Sequence, residues 1–391
     1  MTAGPERRLD PALRVELCRE ADVLPLMRFI GTEWRAGHIL SRDEALLRWQ
    51  YAPERLKGLR APSPTVLLAW MGSELVGMLG LTGFEFNVAG ETFPAVWLSH
   101  WFVAPSYRRY NAALRLLDAT RPLGVEVVAT VGANEMASRL IQQLGFEVIP
   151  SLPRWVGVFD AGAAAELVCA ANPGTGLEDA EGLCRSHVVD LRAATAPEGG
   201  FRAVCWSATA AAAWDRFWSE RLAPQLVGAR RDVAYLQWRY LAHPSLEYHM
   251  RFAQRETDGA VEGLTVFRIE PVRDRAIRVL RIVEFLASAA GEASLVRSLL
   301  EAARDSGAAM GDFYCSSARA AQALMRAGFA RQAADAGGVV FPARLQPLEA
   351  GHYRMTTLIR LPQASRGTLP QLVEQGGLYI TKSDGDQDRP N

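Results

Sequence analysis

The sequence predicts an α/β chain built from two copies of one domain, and three observations carry that prediction. The stretch DEALLRWQY, Asp43 to Tyr51, returns as DVAYLQWRY, Asp232 to Tyr240, and both obey D-x-A-x-L-x-W-x-Y. Each copy is followed by a strand, a tight turn and a second strand: TVLLAW, MGSE, LVGMLGLTGFEF in the first, EYHMRFAQ, RETDG, AVEGLTVFRI in the second. Each module then closes with a helix-like segment ending in Gly-Phe, NEMASRLIQQLGF and SARAAQALMRAGF. Trp49 lies 96 residues before Gly145 and Trp238 lies 90 before Gly328, so the register holds over the whole module. A repeat this long predicts two domains rather than a solenoid, because each unit has strands and helices enough to close its own core.

The elements follow in order. In the repeated motif, Ala, Leu, Trp and Tyr alternate with a period of two, yet EALLRWQY and VAYLQWRY also suit a helix with Asp43 or Asp232 as N-cap, and the helix is preferred. Its tryptophan and tyrosine are expected in core and interface packing, with substrate stacking as the alternative. Gly77 and Gly263 take matching places in the second strands. A further turn, NVAGE or PVRDRA, leads to the apolar strand FPAVWLSHWFV or AIRVLRIVEFLA and then to a helix. Gly145 and Gly328 are read as left-handed C-caps, and Phe146 and Phe329 as the first anchors of the returning strands. The boundaries expected are 1–160 for the first domain, 161–200 for a linker rich in Ala, Gly and Pro that leaves room for short structure, 201–345 for the second domain, and 346–391 for a final strand and tail.

Composition narrows the function classes. The 391 residues carry 43 basic and 43 acidic side chains, so no overall field draws nucleic acid or an anionic membrane, and a small-molecule partner fits better. The start, MTAGPERRLDP, has no apolar signal region and no stretch reaches the roughly 20 apolar residues of a membrane span, so a cytoplasmic protein is expected. Cys18, Cys169, Cys184, Cys205 and Cys315 lack C-x-x-C spacing, which suits a reducing compartment and offers no zinc motif. Lysine occurs only at positions 57 and 382 and no G-K-[ST] follows a glycine-rich loop, which excludes a P-loop nucleotidase.

The order strand, helix, antiparallel hairpins, central strand, helix, strand, helix, Gly-Phe, strand resembles the GNAT superfamily of acyl-CoA N-acyltransferases. The first module carries its landmarks: WLSHWFVAPSYRRYNAALRLL resembles that family's central strand, cofactor loop and helix, and GANEMASRLIQQLGF its N-x-x-A helix. The resemblance implies an α/β fold of the α+β type, in which each of two GNAT-like domains is a mixed, mostly antiparallel twisted sheet flanked by helices. It also implies acetyl-CoA or another acyl-CoA as co-substrate, no metal, and a cofactor site at Phe102, Val103, Arg108, Arg109, Tyr110, Asn111, Ala112, Ala113 and Asn134. The physical logic of the loop stands beside that. A strand turning sharply into a helix leaves unpaired amides at the positive end of the helix dipole, where a pyrophosphate can sit. Arg108 and Arg109 add positive charge, and Ala112 and Ala113 permit close approach. Asn111 replaces the family's usual glycine but tolerates positive φ, whereas Tyr110 is bulkier than usual. An ordinary strand-to-helix turn with solvated arginines is the other reading of the loop taken alone. The second module's VEFLASAAGEASLVRSLL has no arginine pair and puts Glu292 at the helix start, where it would repel phosphate, so this copy is expected not to bind coenzyme A but to wall the cleft.

Acyl transfer to an amine needs a base, because an ammonium must lose a proton before its nitrogen attacks the thioester. His100, in the middle of the central strand, is the first candidate, with a half-buried hydrogen-bonded histidine as the equally weighted alternative. Ser99 should face the opposite side of the sheet, so that only one of the two can enter the cleft. His38, in the GHILS loop, is a second base candidate or substrate contact. His243, His249, Glu284 and Tyr314 reach the acceptor only if the domains face one another. The family's thiolate-protonating tyrosine would fall at Ile141, so that acid is missing here. WRAGHILSRDEALLRWQY and the closing LYITKSDGDQDRPN resemble tandem GNAT-like proteins of bacterial surface-polysaccharide biosynthesis, which implies a nucleotide-linked amino sugar as acceptor. The tail either meets a polar ligand, with Arg389 on a phosphate, or is a solvated terminus; it lacks the twelfth-position glutamate of a calcium loop. Another amine acceptor, mycothiol-synthase-like or aminoglycoside-like, and a non-catalytic ligand-binding protein are the alternatives.

Overall fold

The computed structural model describes residues 13–56, 63–133, 135–149, 152–191, 200–332, 338–350, 355–362 and 369–388. The first module opens with β1 (Leu13–Leu17), helix α1 (Val23–Phe29) and α2 (Glu44–Gln50), whose N-cap Asp43 accepts from Leu46 N at 2.9 Å. Strands β2 (Val66–Met71), β3 (Glu74–Val88) and β4 (Glu91–Val103) form a meander that turns at Gly72 and at Ala89–Gly90, all with positive φ. Helix α3 (Ala112–Asp118), β5 (Val127–Val131), α4 (Glu135–Gln143) and β6 (Glu147–Ile149) complete the run, and Gly145 ends α4 at φ +83°.

Strand β7 (Arg154–Val158) and helices α5 (Ala161–Ala171) and α6 (Leu177–Arg185) follow, then β8 (Phe201–Val204), α7 (Ala208–Phe217) and β9 (Val227–Ala229). The second motif copy forms α8 (Val233–Leu236), capped by Asp232 through Tyr235 N at 2.9 Å, and continues in wider turns to Leu241. The meander recurs as β10 (His249–Arg255), β11 (Val261–Pro271) and β12 (Arg278–Ala287), followed by α9 (Glu292–Ser306), β13 (Ala308–Tyr314), α10 (Ala318–Arg326) and β14 (Ala330–Arg331). A small ribbon, β15 (Arg344–Leu345) with β16 (Leu348–Glu349), β17 (Thr357–Arg360) and α11 (Leu369–Glu374) lead to the final segment.

The fold is α+β, with two mixed and mostly antiparallel sheets flanked by helices, as expected. The first sheet runs β1-β2-β3-β4-β5-β17-β6 and the second β14-β7-β13-β12-β11-β10-β8, and in each the parallel pair is the central one, β4 with β5 and β12 with β13. The modules are not self-contained. Strand β17, from the end of the chain, fills the place between β5 and β6, and β7, from the start of the expected linker region, fills the equivalent place between β13 and β14. The boundary at 160 therefore cuts off a strand that belongs to the second sheet, and α5 and α6 of the expected linker pack there too, sharing a core with Val156, Val158 and Met310. All five residues of β7 are buried, so neither half closes its sheet without the other. One apolar core runs from Phe84, Phe86 and Trp97 of the first module into Trp214, Tyr235 and Phe252 of the second.

The duplicated motif meets itself across this interface. Trp49 and Trp238 stack with centroids 5.4 Å apart and planes at 23°. Each indole N–H donates to the other's backbone carbonyl, at 3.0 Å from Trp49 and 3.4 Å from Trp238. Arg55 lies over the Trp238 ring and Arg239 over that of Trp49, so each indole also carries a cation, though from non-equivalent positions of the repeat.

Candidate active site

The site grows from an irregularity in the central strand. Between Ser99 and Phe102, β4 advances three residues while β3 advances two, from Gly80 to Met78, and His100 takes up the slack at φ +50°. Such a bulge bends the strand and re-aims a side chain. Strands β4 and β5 pair only from Ala95–Val127 to Trp97–Ala129, so beyond Trp97 they part and leave the splayed opening that an extended thioester chain requires.

The bulge also overturns the expectation that Ser99 and His100 face opposite sides. Tyr51, the last residue of the first motif, reaches both: its hydroxyl lies 3.1 Å from Ser99 Oγ and is hydrogen-bonded to His100 Nδ1. A Cβ at Gly80 would overlap the Tyr51 ring, which explains the glycine there. Gln50 Nε2 donates to the same hydroxyl at 3.2 Å. On the other side of the imidazole, Nε2 is 3.3 Å from Asp386 Oδ2. His38 joins the cluster, its ring 5.5 Å from that of His100, with Trp34 against both, while His38 Nδ1 accepts from Leu40 N at 3.2 Å and so caps a short turn. All three catalytic candidates thus converge, and all are buried.

Asp386 and Tyr51 are the partners that sequence reasoning missed. Asp386 belongs to the closing SDGDQD, where each aspartate meets a different group. Asp384 binds Arg231 at 2.6 Å, Asp386 meets His100, and Asp388 binds Arg268 at 2.9 Å and accepts from Tyr248 at 2.7 Å. Burial would raise the Asp388 carboxyl, but Arg268 and Lys382 outweigh it and hold the group well below the usual carboxylate range. Upstream, Leu378–Thr381 bridges the two sheets through Val227 and Cys315, and Gln387 Nε2 donates to Val131 O at 3.0 Å at the mouth of the β4–β5 opening. The described tail is therefore a structural strap and not a solvated terminus; Arg389 lies outside the described residues. A cavity of about 10 Å³ beside Asp386 receives Arg239 Nη1 and Thr82 Oγ1, which have no protein partner among the described residues, and has room for a single water.

The expected cofactor loop is a tight turn, Pro105–Tyr110, ending at Asn111 with φ +59° and ψ +19°, the left-handed geometry that its asparagine was expected to adopt. Arg108 and Arg109 are exposed; Arg108 Nε donates to Val103 O at 3.2 Å, and Arg109 lies over the Tyr110 ring, 4.8 Å from its centroid. Ala112 is buried and Val103 packs in the first module's core, while Phe102 sits 5.9 Å from Phe29. Asn134 lies outside the described residues. Ile141 is core, so no acid stands at that position. These residues fit an acyl-CoA: parted strands, a left-handed turn and two solvent-facing guanidinium groups.

The second module repeats the geometry with different chemistry. Glu284, in register with Val266, flanks the bulge of β12 where His100 sits in that of β4, and Tyr240, the counterpart of Tyr51, donates to it at 2.6 Å. Tyr379, Ser383 and Arg231 also donate to Glu284, at 2.7, 3.1 and 3.1 Å. His243 caps a turn, accepting from Ser245 N and Leu246 N, and stacks on Trp49; burial, then Arg239, lowers its pKa to about 3. His249 packs on Phe267, and Tyr314 lies between Arg154 and Lys382. Among the described residues no cluster of three His, Cys, Asp or Glu could hold a metal, and no helix is long and apolar enough to cross a membrane.

Residues 42–121, which include Tyr51, the bulge and the loop, match the family described as the Acetyltransferase (GNAT) domain. The chain is similar to that family over this stretch. Solved structures are similar to this chain over most of its length. A GCN5-related N-acetyltransferase from Anabaena variabilis is similar with a TM-score of 0.57 and 11% identity, over 89% of this chain and 72% of that one. Saccharomyces cerevisiae N-myristoyltransferase with bound myristoyl-CoA is similar with a TM-score of 0.54 and 9% identity, over 90% and 83%. At such identities the likeness is one of fold. The chain spans 64% of the length of an Enterococcus faecalis V583 protein described as a probable N-acyltransferase, with 77% of this chain covered, 14% identity and a TM-score of 0.49. No curated protein sequence matches.

Proposed function

We propose that this chain transfers an acyl group, most simply acetyl, from acyl-CoA to a primary amine, and that the first module carries both the acyl-CoA and the chemistry. The observation that carries this reading is the His100 imidazole, held in the bulge of the parted central strand between the Tyr51 hydroxyl and the Asp386 carboxylate. The tautomer that satisfies both contacts has Nε2–H donating to Asp386 and Nδ1 accepting from Tyr51. The acceptor ammonium then loses its proton through the Tyr51 hydroxyl, which passes its own to Nδ1. The freed amine nitrogen forms the new C–N bond at the thioester carbonyl as the C–S bond breaks. The thiolate, whose pKa is near 8.5, leaves with a proton from solvent, since Ile141 stands where an acid would.

The acceptor we propose is an amino sugar carried on a nucleotide, supported by the likeness of the motif region and of the SDGDQD strap to tandem GNAT-like proteins of surface-polysaccharide biosynthesis. The proposed setting is the cytoplasm, which its five free cysteines suit. The test is thiol release from acetyl-CoA against a panel of nucleotide-linked amino sugars, polyamines and aminoglycosides. Release with the sugars alone supports the reading; release with only the other amines refutes the acceptor, and release with none of them refutes the transferase.

A further inference from the structure

The second module contains a cleft that the chemistry above does not use. It has a volume of about 500 Å³ and opens where the ends of β12 and β13 part, the counterpart of the opening in the first module. Its floor is apolar: Phe217, Leu222, Leu226, Phe285 and Leu286 line it, with the ring of Tyr379 beside them. At its rim stand Arg221 and Arg319, both exposed, the latter 3.5 Å from Gln225 Oε1. The acidic group on the wall, Glu292, is the residue whose charge was expected to repel phosphate. The structure pairs it with Arg326, a residue of the neighbouring helix α10, and Arg319 also acts on it, so this one lining carboxylate is opposed by two cations while Arg221 and Arg319 stay exposed.

We propose that this cleft binds a phosphate-bearing ligand with an extended apolar arm, the phosphate between Arg221 and Arg319 and the arm along Phe217, Leu222 and Leu226. Guanidinium groups are suited to phosphate, and a concave apolar floor with a few polar groups at one end fixes the direction of an amphipathic chain. The same chemistry is offered by a second coenzyme-A-like carrier and by a phosphorylated acceptor, and both are phosphate esters with a less polar portion. The inference does not depend on where the first module binds acyl-CoA.

The test is calorimetric titration of the full chain with hexyl phosphate and, separately, with coenzyme A. Three variants accompany the wild type, each checked for folding by circular dichroism: Arg221→Glu with Arg319→Glu, Ala320→Trp, which fills the cleft without touching its charge, and Arg108→Glu with Arg109→Glu. Hexyl phosphate is expected to bind the wild type and the Arg108/Arg109 variant alike, and to bind at least tenfold more weakly to the other two. An equivalent of coenzyme A that disappears in the Arg221/Arg319 variant identifies the ligand as a carrier; with no such equivalent, the site belongs to a phosphorylated acceptor. Failure of millimolar hexyl phosphate to bind the folded wild type, or binding that survives both the charge reversal and Ala320→Trp, overturns the inference.

Discussion

His100 and Glu284 take corresponding places in two copies of one fold, and the contrast between them shows how one geometry can hold two different groups. Each sits at the bulge of a central strand, each takes a hydroxyl from the last residue of the repeated motif, and each is reached by the closing strap. What differs is how the group is filled. A carboxylate offers about four acceptor positions. Glu284 receives Tyr240, Tyr379, Ser383 and Arg231, all fixed and buried, and Arg231 is in turn held by Asp384. A group so occupied cannot take a substrate's proton without breaking the network that holds it. An imidazole between a phenol and a carboxylate can take one, because its ordinary pKa lies near neutrality and the Asp386 carboxylate favours the imidazolium.

The sharpest way to break this contrast is to truncate both positions. His100→Ala should lower the rate of thiol release by about 10²- to 10⁴-fold, the usual contribution of a general base, and shift the melting temperature little. Glu284→Ala should instead cost about 3–5 kcal/mol of stability, since it takes one of two carboxylate partners from the fully buried Arg231 guanidinium and leaves it Asp384 and the Ala229 carbonyl. Thermal melts and rates on both variants decide the matter. A His100→Ala protein that melts early while Glu284→Ala remains folded but inactive would reverse the assignment of the two modules.

The next effect concerns pH. His243 is held neutral in the fold, with its pKa lowered to about 3 by burial and by Arg239, whereas in the unfolded chain it takes a proton near pH 6.5. Its contribution to stability is therefore complete above about pH 6.5 and is lost as the pH falls toward 3, by on the order of 4 kcal/mol over the full range. The structural reason is visible: Nδ1 accepts two backbone amides, which a protonated ring cannot do. His243→Asn, whose side-chain oxygen can replace that acceptor, should flatten urea-denaturation stability between pH 6 and 4. Equal slopes in wild type and variant would assign the acid loss to other groups.

A smaller effect separates orientation from chemistry. Asp386→Asn keeps a hydrogen-bonding partner for His100 Nε2 but removes the charge that favours the imidazolium. The expected result is a loss of about tenfold to a hundredfold in kcat, with the acidic limb of the pH–rate profile moving to lower pH. A proportional loss at every pH, with the limb unmoved, would make Asp386 merely a strap contact.

How much of this was readable in the sequence follows from the range of each interaction. The Asp43 and Asp232 caps, the positive φ at Asn111 and the glycine ends of the closing helices are set within three or four residues, and the sequence pattern foresees them. The strand exchange was not readable, because RWVGV and TLIR are short β-branched and aliphatic stretches, each with an arginine at one end, that would suit either sheet; only tertiary pairing assigns them. The bulge was equally hidden, since alternation in WLSHWFV places Ser99 and His100 on opposite faces until one residue adopts φ +50°. Asp386 meets His100 across nearly the whole chain, and three aspartates in a polar tail look the same in sequence whether solvated or buried. What distinguishes them is the burial of Arg231, Arg239 and Arg268, which only the fold reveals.

The smallest effect tests the symmetry itself. If the Trp49–Trp238 stack is what survives of the two-fold relation, its energy should belong to the pair and not to either ring. In a double-mutant cycle of Trp49→Phe and Trp238→Phe, each single change removes one indole N–H bond and weakens the stack, so the double variant should lose less than the sum, with a coupling of roughly 1 kcal/mol. The two halves of the cycle need not be equal, because the surroundings differ: Trp49 carries His243 on its face and Arg239 above it, whereas Trp238 carries Arg55. Strict additivity in chemical denaturation would mean that the rings only fill space side by side. The repeated motif would then be held by its aspartate caps and its tyrosines, Tyr51 on His100 and Tyr240 on the buried Glu284, and the tryptophans would be incidental to the likeness between the modules.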